Sequence, residues 1–248
     1  MKKYFIYLTV ICGLLVIILI GLFYNGIIWF VDPVSLGYQV KGIDVARYQG
    51  EIDWKAISSQ GIQFAFIKAT EGSSYSDPMF ATNIVSSRGN NIFAGAYHFF
   101  SSESPGKTQA QNFINIVSEY PIDLPPVLDF EITKLEGDTE YVTKEAIIFL
   151  NELEKYFGTK PIVYTTYKSY ENYLANNLNG YPLWIRDLFK EPEINGHDWI
   201  FWQYCNRGRL EGIDEKQIYV DLNVFNGSEN EFKEYLKGLN TPKQAGIR

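Results

Sequence analysis

The chain begins with one long apolar stretch that differs from everything after it. Residues 4–31 contain no charged residue and follow Lys2 and Lys3. Because about 20 apolar residues in a helix cross a bilayer core, this stretch predicts a membrane span. The preceding lysines predict a cytoplasmic N-terminus, with everything after Val31 exported. No cleavage site with small residues follows the apolar run, so we favour an uncleaved anchor over a signal peptide removed after secretion.

Beyond this stretch, short apolar runs alternate with patterns that repeat at helical spacing. Strands are predicted at 40–45, 64–69, 92–100, 126–131, 161–165, 183–186, 199–204 and 219–223, and helices begin at Trp54 and near Ser76 and cover 107–117, 143–156 and 167–178. This order predicts an α/β fold, a parallel (β/α) TIM-like barrel modified by fewer helices in its C-terminal part. An open, doubly wound sheet is the alternative, but no glycine-rich phosphate loop follows the first strand.

The exported pattern predicts one folded domain, because no linker interrupts it. We assign 1–31 to the transmembrane helix, 32–39 to a short linker, 40–240 to the folded domain and 241–248 to a flexible tail.

Composition excludes some classes of function. A net charge of −7 argues against a nucleic-acid partner, which normally requires a basic face. Cys205 is the only exported cysteine, so we expect neither a disulfide within the domain nor a thiolate metal site. No cofactor and no metal are predicted.

Acidic side chains lie at or near the ends of the predicted strands: Asp44, Asp129, Glu131 and Asp221. In an α/β barrel, strand ends meet at one face, so acids from distant segments converge there. Asp129 and Glu131 share one face of a strand, roughly 6–7 Å apart. Two acids this close raise the pKa of one of them, which suits a general acid for a glycosidic oxygen. Alone, however, such a pair is more simply a cap for the following loop.

Several segments together resemble glycoside hydrolase family 25 lysozymes. In chain order they are Lys41-Gly42-Ile43-Asp44-Val45, Phe64 to Gly72, Gly95-Ala96-Tyr97-His98-Phe99-Phe100, Pro125 to Glu131, Pro161 to Thr165, Leu183-Trp184-Ile185, Trp202-Gln203-Tyr204 and Val220-Asp221-Leu222-Asn223. The resemblance covers about residues 40–225, and the shared order favours a catalytic interpretation of the acids.

The resemblance implies a muramidase that cleaves the β-1,4 bond between N-acetylmuramic acid and N-acetylglucosamine in peptidoglycan. Glu131 would be the general acid and base, and Asp129 would stabilise positive charge or orient the 2-acetamido group. Asp44 and Asp221 would be flanking carboxylates. Because no separate nucleophile can be identified, we favour a retaining mechanism in which the substrate's acetamido group attacks.

The candidate substrate-binding residues are Tyr97, Tyr164, Trp184, Gln203 and Arg186. Tyr97 is preferred to its neighbour His98 because adjacent strand residues face opposite ways. Trp54 and Trp202 are equally well explained as core, and Lys68 with Glu71 as a salt bridge. The chain departs from the family pattern at Ala46-Arg47, Phe130 and Arg186-Asp187. Arg47 and Arg186 could therefore contact anionic groups of the wall.

Two other functions remain open: hydrolysis of other N-acetylated glycans such as chitin, and wall binding without catalysis. The expected partners are peptidoglycan glycan strands and the membrane, with a larger cell-envelope assembly as a further candidate. The expected location is the cell membrane, with one span and an extracellular catalytic domain; the alternative is secretion. No wall-binding repeat follows the predicted barrel, which fits an anchored enzyme for local wall remodelling or opening.

Overall fold

The structure is a computed structural model that describes residues 2–34, 36–132, 138–178, 180–194, 196–213 and 218–240. The predicted tail at 241–248 lies outside the described residues. The first helix, α1, covers Lys2–Tyr24 and is long and apolar enough to cross a membrane. It ends before the uncharged stretch does, because Gly26 adopts the left-handed conformation (φ 63°) that commonly terminates helices.

The remaining elements follow the predicted alternation. The strands are β1 Lys41–Val45, β2 Ile62–Glu71, β3 Tyr75–Ser76, β4 Phe93–Phe99, β5 Val127–Phe130, β6 Ile162–Thr166, β7 Leu183–Arg186, β8 Trp199–Gly208 and β9 Val220–Phe225. The helices are α2 Trp54–Ser59, α3 Phe80–Gly89, α4 Gly106–Val117, α5 Thr139–Phe157, α6 Tyr167–Ser169 and α7 Glu229–Asn240, with a 3-10 turn at Arg47–Gln49 and a π turn at Tyr170–Leu174.

Eight strands close into a barrel in the order β1-β2-β4-β5-β6-β7-β8-β9, and the short β3 pairs with the last two residues of β2. Closure between β1 and β2 rules out the open sheet. Pairing is parallel from β1 to β8, but β9 is antiparallel to both β8 and β1. The expectation of a wholly parallel barrel is therefore wrong at its last strand. The described residues between β8 and β9 contain no helix that could carry the chain back to the other end of the barrel, so β9 returns antiparallel to β8.

One predicted helix has a different form. The segment 167–178 forms a single α turn followed by the π turn, rather than a regular helix. The nitrogen of Ala175 bonds the carbonyl of Tyr170 (2.9 Å), a five-residue step that widens the turn. By contrast, Asp53 caps α2 as its position predicted, since its carboxylate accepts from the nitrogens of Lys55 and Ala56.

Aromatic side chains fill the barrel from its lower end, where the strands β1 to β8 begin. Phe64, Phe66 and Phe201 point inward and are fully buried, and α7 covers this end with Phe232. Alternate residues of β2 face the surrounding helices instead, as expected for a barrel strand. The interior is therefore apolar at the bottom, and its polar side chains are concentrated at the opposite end.

Candidate active site

The acids predicted from the sequence meet at the upper end of the barrel, where the parallel strands finish. β1 carries Asp44, β5 carries Asp129 with Glu131 just beyond it, and β9 carries Asp221. Because β9 runs antiparallel, Asp221 comes near its beginning and pairs directly with Asp44. An open cavity of about 390 Å³ is lined by these four acids together with the predicted Tyr97, Tyr164, Trp184 and Gln203.

Asp44 receives hydrogen bonds from two directions. Gln203 Nε2 and Asn223 Nδ2 both donate to Asp44 Oδ2, at 2.9 and 2.7 Å. Behind them, Tyr164 donates its hydroxyl to Gln203 Oε1 (2.8 Å), and Trp184 Nε1 donates to Asn223 Oδ1 (2.9 Å). Burial raises the pKa of Asp44, and these donors and Asp221 lower it only in part, so it stays above its ordinary value. Two chains of hydrogen bonds, Tyr164 to Gln203 and Trp184 to Asn223, therefore orient amide donors towards the carboxylate of Asp44.

Asp221 shares a hydrogen bond with Asp44. Burial, followed by the charge and hydrogen bond of Asp44, raises the pKa of Asp221 well above its usual range. Since Asp44 already accepts from two amides, Asp221 is the partner that carries the proton and donates it.

Asp129 lies 8% exposed on the floor of the cavity. Its Oδ1 is buried and has no hydrogen-bond partner among the described residues. Burial raises the pKa of Asp129 well above its usual range, the charges of Glu131 and Asp44 add to that rise, and Lys68 opposes it. The raised pKa that the acidic pair predicted thus falls on Asp129, a carboxyl that lines the cavity.

Glu131 is more open and has a basic partner. Its side chain is 21% exposed, and Arg186 Nη1 donates to Glu131 Oε1 at 3.1 Å. Arg186 therefore contacts the cavity through Glu131. The guanidinium therefore leaves only the other oxygen of Glu131 without this partner.

Tyr97 and His98 face opposite sides of β4. Tyr97 lines the cavity, and burial followed by the charges of Asp44 and Asp129 raises its pKa, so its hydroxyl stays protonated. His98 lies outside the barrel, between Thr70 Oγ1 (2.7 Å) and Gln109 Oε1 (3.0 Å). Burial lowers the pKa of His98 to about 4. It is a neutral core residue rather than part of the cavity.

The secondary candidates have simple positions. Lys68 and Glu71 form a salt bridge at 2.7 Å beside the cavity. Trp54 and Trp202 are buried in the core. Trp184 is only 2% exposed and stacks on Phe66 at 4.6 Å, so it forms the floor rather than an open platform for a sugar.

One site residue was missed by the sequence reasoning. Asn223 was read only as part of a motif, yet it links Trp184 to Asp44. The available signal was its spacing from Asp221, since residues i and i+2 of a strand share a face.

Other features do not compete with this cavity. A larger depression of about 570 Å³ at the lower end is lined by Arg88 and Asp123, which pair with each other. Within the described parts of the chain, no group of three His, Cys, Asp or Glu residues is arranged to hold a metal ion.

An eight-stranded α/β barrel with carboxylates converging above an aromatic floor has the groups that glycoside hydrolysis requires. Residues 43–213 match the family model for glycosyl hydrolases family 25, and the chain belongs to that family. The resemblance predicted from the motifs, and with it the assignment as a lysozyme-type enzyme, is confirmed.

The chain is also similar to individual proteins. The chain is 37% identical over 216 residues to the uncharacterized protein YegX of Escherichia coli K12, covering 85% of this chain and 78% of that protein. It is 34% identical over 205 residues to Lysozyme M1 of Streptomyces globisporus, covering 76% and 68%. A solved family 25 glycosyl hydrolase from Bacillus anthracis superposes with a TM-score of 0.74 at 43% identity, covering 80% and 94%.

Proposed function

We propose that this chain is a membrane-anchored muramidase in which Glu131 is the general acid and base. Its substrate is the β-1,4 bond between N-acetylmuramic acid and N-acetylglucosamine in peptidoglycan glycan strands. One observation carries the proposal: in a family 25 barrel, Asp44, Asp129, Glu131 and Asp221 surround one open cavity.

The position of Arg186 indicates how Glu131 acts. Glu131 Oε1 accepts from Arg186, so Oε2 is the oxygen that carries the proton to the glycosidic oxygen. The bond from the sugar C1 to that oxygen breaks, and the leaving oxygen keeps the electron pair and gains the proton. In the second step Glu131 takes a proton from the attacking water, as a single acid and base requires.

Asp129 supports the first step. The 2-acetamido oxygen of the substrate attacks C1 and forms a cyclic oxazolinium intermediate, which water opens with net retention. The carboxylate of Asp129, which lines the cavity, accepts the acetamido N–H. As positive charge develops on the ring, it favours the ionised form of Asp129 and offsets the effect of burial.

The remaining site residues hold this arrangement. Asp44 stays ionised because it accepts from Gln203 and Asn223, and Asp221 donates to it. Tyr97 and Tyr164 present protonated hydroxyls, since burial raises the pKa of each. Arg186 and the exposed Arg47, which lies over the ring of Tyr48, offer positive charge to the acidic groups of the wall.

We also propose that α1 remains attached as a membrane anchor with a cytoplasmic N-terminus. Its hydropathy and length fit a span, and Lys2 and Lys3 precede the apolar part. The residues between α1 and residue 40, which include the predicted linker at 32–39, then join the anchor to an extracellular catalytic domain at 40–240. The anchor keeps the enzyme at the wall for local remodelling or opening, alone or within a larger envelope assembly. If N-terminal sequencing of the mature protein begins after α1, the chain is secreted and this part of the proposal is wrong.

Muropeptide analysis of digested wall tests the reaction. Wild-type protein should release reducing ends of N-acetylmuramic acid, and Glu131→Gln should lower the rate by about 10²–10⁴-fold or more. Glu119→Gln, an exposed Glu on the outer surface, is the matched control and should keep full activity. Equal hydrolysis of chitin oligomers would favour a broader N-acetylated glycan hydrolase, and wall binding without sugar release would favour a binding module. First release of the α-anomer would overturn the retaining mechanism.

A further inference from the structure

The segment between the anchor and the barrel is folded onto the catalytic end of the enzyme. Trp29 Nε1 donates to the carbonyl of Tyr204 at 2.6 Å. The carbonyl of Tyr24 accepts from Arg207 Nη1 (2.8 Å) and from the hydroxyl of Tyr219 (3.1 Å). We call residues 24–31 the collar.

Close packing accompanies these hydrogen bonds. A Cβ at Gly26 would lie 2.0 Å from the carbonyl oxygen of Arg207, so only glycine permits this approach. The Arg207 guanidinium lies over the rings of Tyr24 and Tyr219, at 4.8 and 5.3 Å. The ring centroid of Phe30 lies 4.5 Å from that of Phe23 in α1 and 4.8 Å from that of Phe189 in the barrel. The collar is therefore hydrogen-bonded and packed against the barrel along its length and is not a free linker.

The collar attaches at the end that carries the catalytic cavity. Tyr219 lies just before Asp221, and its carbonyl accepts from Gln49, which lines the cavity. Phe189 follows Arg186 at the end of β7, and both line one shallow depression. The depression at Arg88 and Asp123 is at the other end of the barrel.

The length of α1 places the collar at the membrane surface. Its 23 residues extend about 35 Å, against about 30 Å for the hydrocarbon core, so Tyr24 reaches the headgroup level. Ile27, Phe30 and Phe189 are each more than half exposed around the end of the helix. Exposed apolar and aromatic side chains at this depth fit the interface between lipid and water.

We infer that the collar is a rigid mount and that the rim around Phe30 and Phe189 rests on the outer surface of the lipid bilayer. The inference depends on the proposed membrane anchor. In this arrangement the collar holds the open side of the cavity towards the membrane, and cleavage is directed to glycan strands next to the membrane. A flexible tether would instead let the barrel turn freely.

Fluorescence quenching in vesicles tests this orientation. Full-length protein carrying Cys12→Ser and Cys205→Ala receives one fluorescent label, either at Lys190→Cys beside Phe189 or at Val85→Cys. Both side chains are exposed in the structure, and Val85 lines the depression at the lower end. The vesicles contain phosphatidylglycerol and phosphatidylethanolamine with a spin label on the headgroup. We expect the label at 190 to lose most of its fluorescence and the label at 85 to keep it.

Variants of the collar provide the second comparison. Arg207→Ala and Trp29→Ala remove contacts with the barrel but leave α1 intact, so the difference between the two labels should disappear. Arg88→Ala removes an arginine at the lower end and should leave the difference unchanged. Hydrolysis of soluble glycan oligomers checks that every variant is folded.

Two outcomes would overturn the inference in distinguishable ways. If the protein floats with the vesicles but both labels are quenched equally, the mount is wrong while the anchor stands. If the active protein does not float with the vesicles, the proposed anchor fails and the mount fails with it.

Discussion

Replacing Asn223 with alanine tests whether the network beneath the cavity sets the state of Asp44. Asn223 is fully buried, donates to Asp44 and accepts from Trp184. A hydrogen bond to a charged group contributes about 1.5–3 kcal/mol, and a buried donor left alone costs about 1–3 kcal/mol. Because both hydrogen bonds are made by the same side chain, the two energies do not simply add, and we expect about 2–4 kcal/mol of destabilisation. Calorimetry should show a thermal midpoint lower by roughly 5–10 °C.

The same variant should change the pH dependence of activity. Asn223 is the largest of the hydrogen-bond contributions that lower the pKa of Asp44 against the effect of burial. Without it the pKa of Asp44 rises further. Our mechanism requires Asp44 to be ionised, so the acidic limb of the pH–rate profile should move to higher pH. The rate of wall hydrolysis, measured across the acidic range, gives this shift directly.

Asn83 offers a matched control on the outside of the barrel. It is also buried, and its Oδ1 accepts from Trp54 Nε1 at 3.2 Å, but its Nδ2 has no partner among the described residues. Asn83→Ala loses one bond and removes an unpartnered amide, so we expect only about 1–2 kcal/mol of destabilisation. Its acidic limb should not move. The reasoning is refuted if Asn223→Ala keeps the wild-type midpoint and pH profile, or if Asn83→Ala shifts the profile equally.

Three further substitutions and one control give distinct expectations. Asp129→Asn removes a buried carboxyl whose pKa is raised well above its unfolded value, so that its ionisation destabilises the folded state at pH 7. The free energy of unfolding at pH 7 should therefore rise by about 1 kcal/mol or more while wall hydrolysis falls, and an unchanged free energy would contradict this. Burial lowers the pKa of His98 to about 4, so the stability that neutral His98 contributes is fully present above about pH 6.5 and is lost as the pH falls towards 4. Urea titrations should show a loss of roughly 3 kcal/mol over this pH range in the wild type and no such loss in His98→Gln. Gly106→Ala places a Cβ 1.9 Å from the carbonyl oxygen of Glu145 and should lower the free energy of unfolding by about 1–3 kcal/mol. The control Gly89→Ala places a Cβ with nothing within 4 Å, so it should be neutral or stabilising. Thermal melting of both variants measures the difference.

Much of the fold was predictable from local patterns. The apolar run of α1, the alternation of strands and helices, and the acids at strand ends are properties of neighbouring residues. Asp44, Asp129, Glu131 and Asp221 could be selected because barrel strands finish at one face. Their order along the chain, together with the accompanying motifs, was enough to predict the family.

The type and direction of some elements could not be predicted in this way. The antiparallel course of β9 depends on which neighbours remain unpaired after the other strands have closed. The π turn at Tyr170–Leu174 replaces a regular helix although the local pattern is helical. In both cases tertiary contacts outweigh the local preference.

The sequence alone therefore determined the class of fold, the long apolar helix near the N-terminus and the four acids that line the cavity. Only the tertiary structure decided how those acids differ. It joined Arg186 to Glu131, left one oxygen of Asp129 unpartnered, and gave Asp44 its amide donors. It also brought the collar against Arg207 at the catalytic end. These relations connect residues far apart in the chain, and their energies come from burial, charge and distance, which exist only once the barrel has closed.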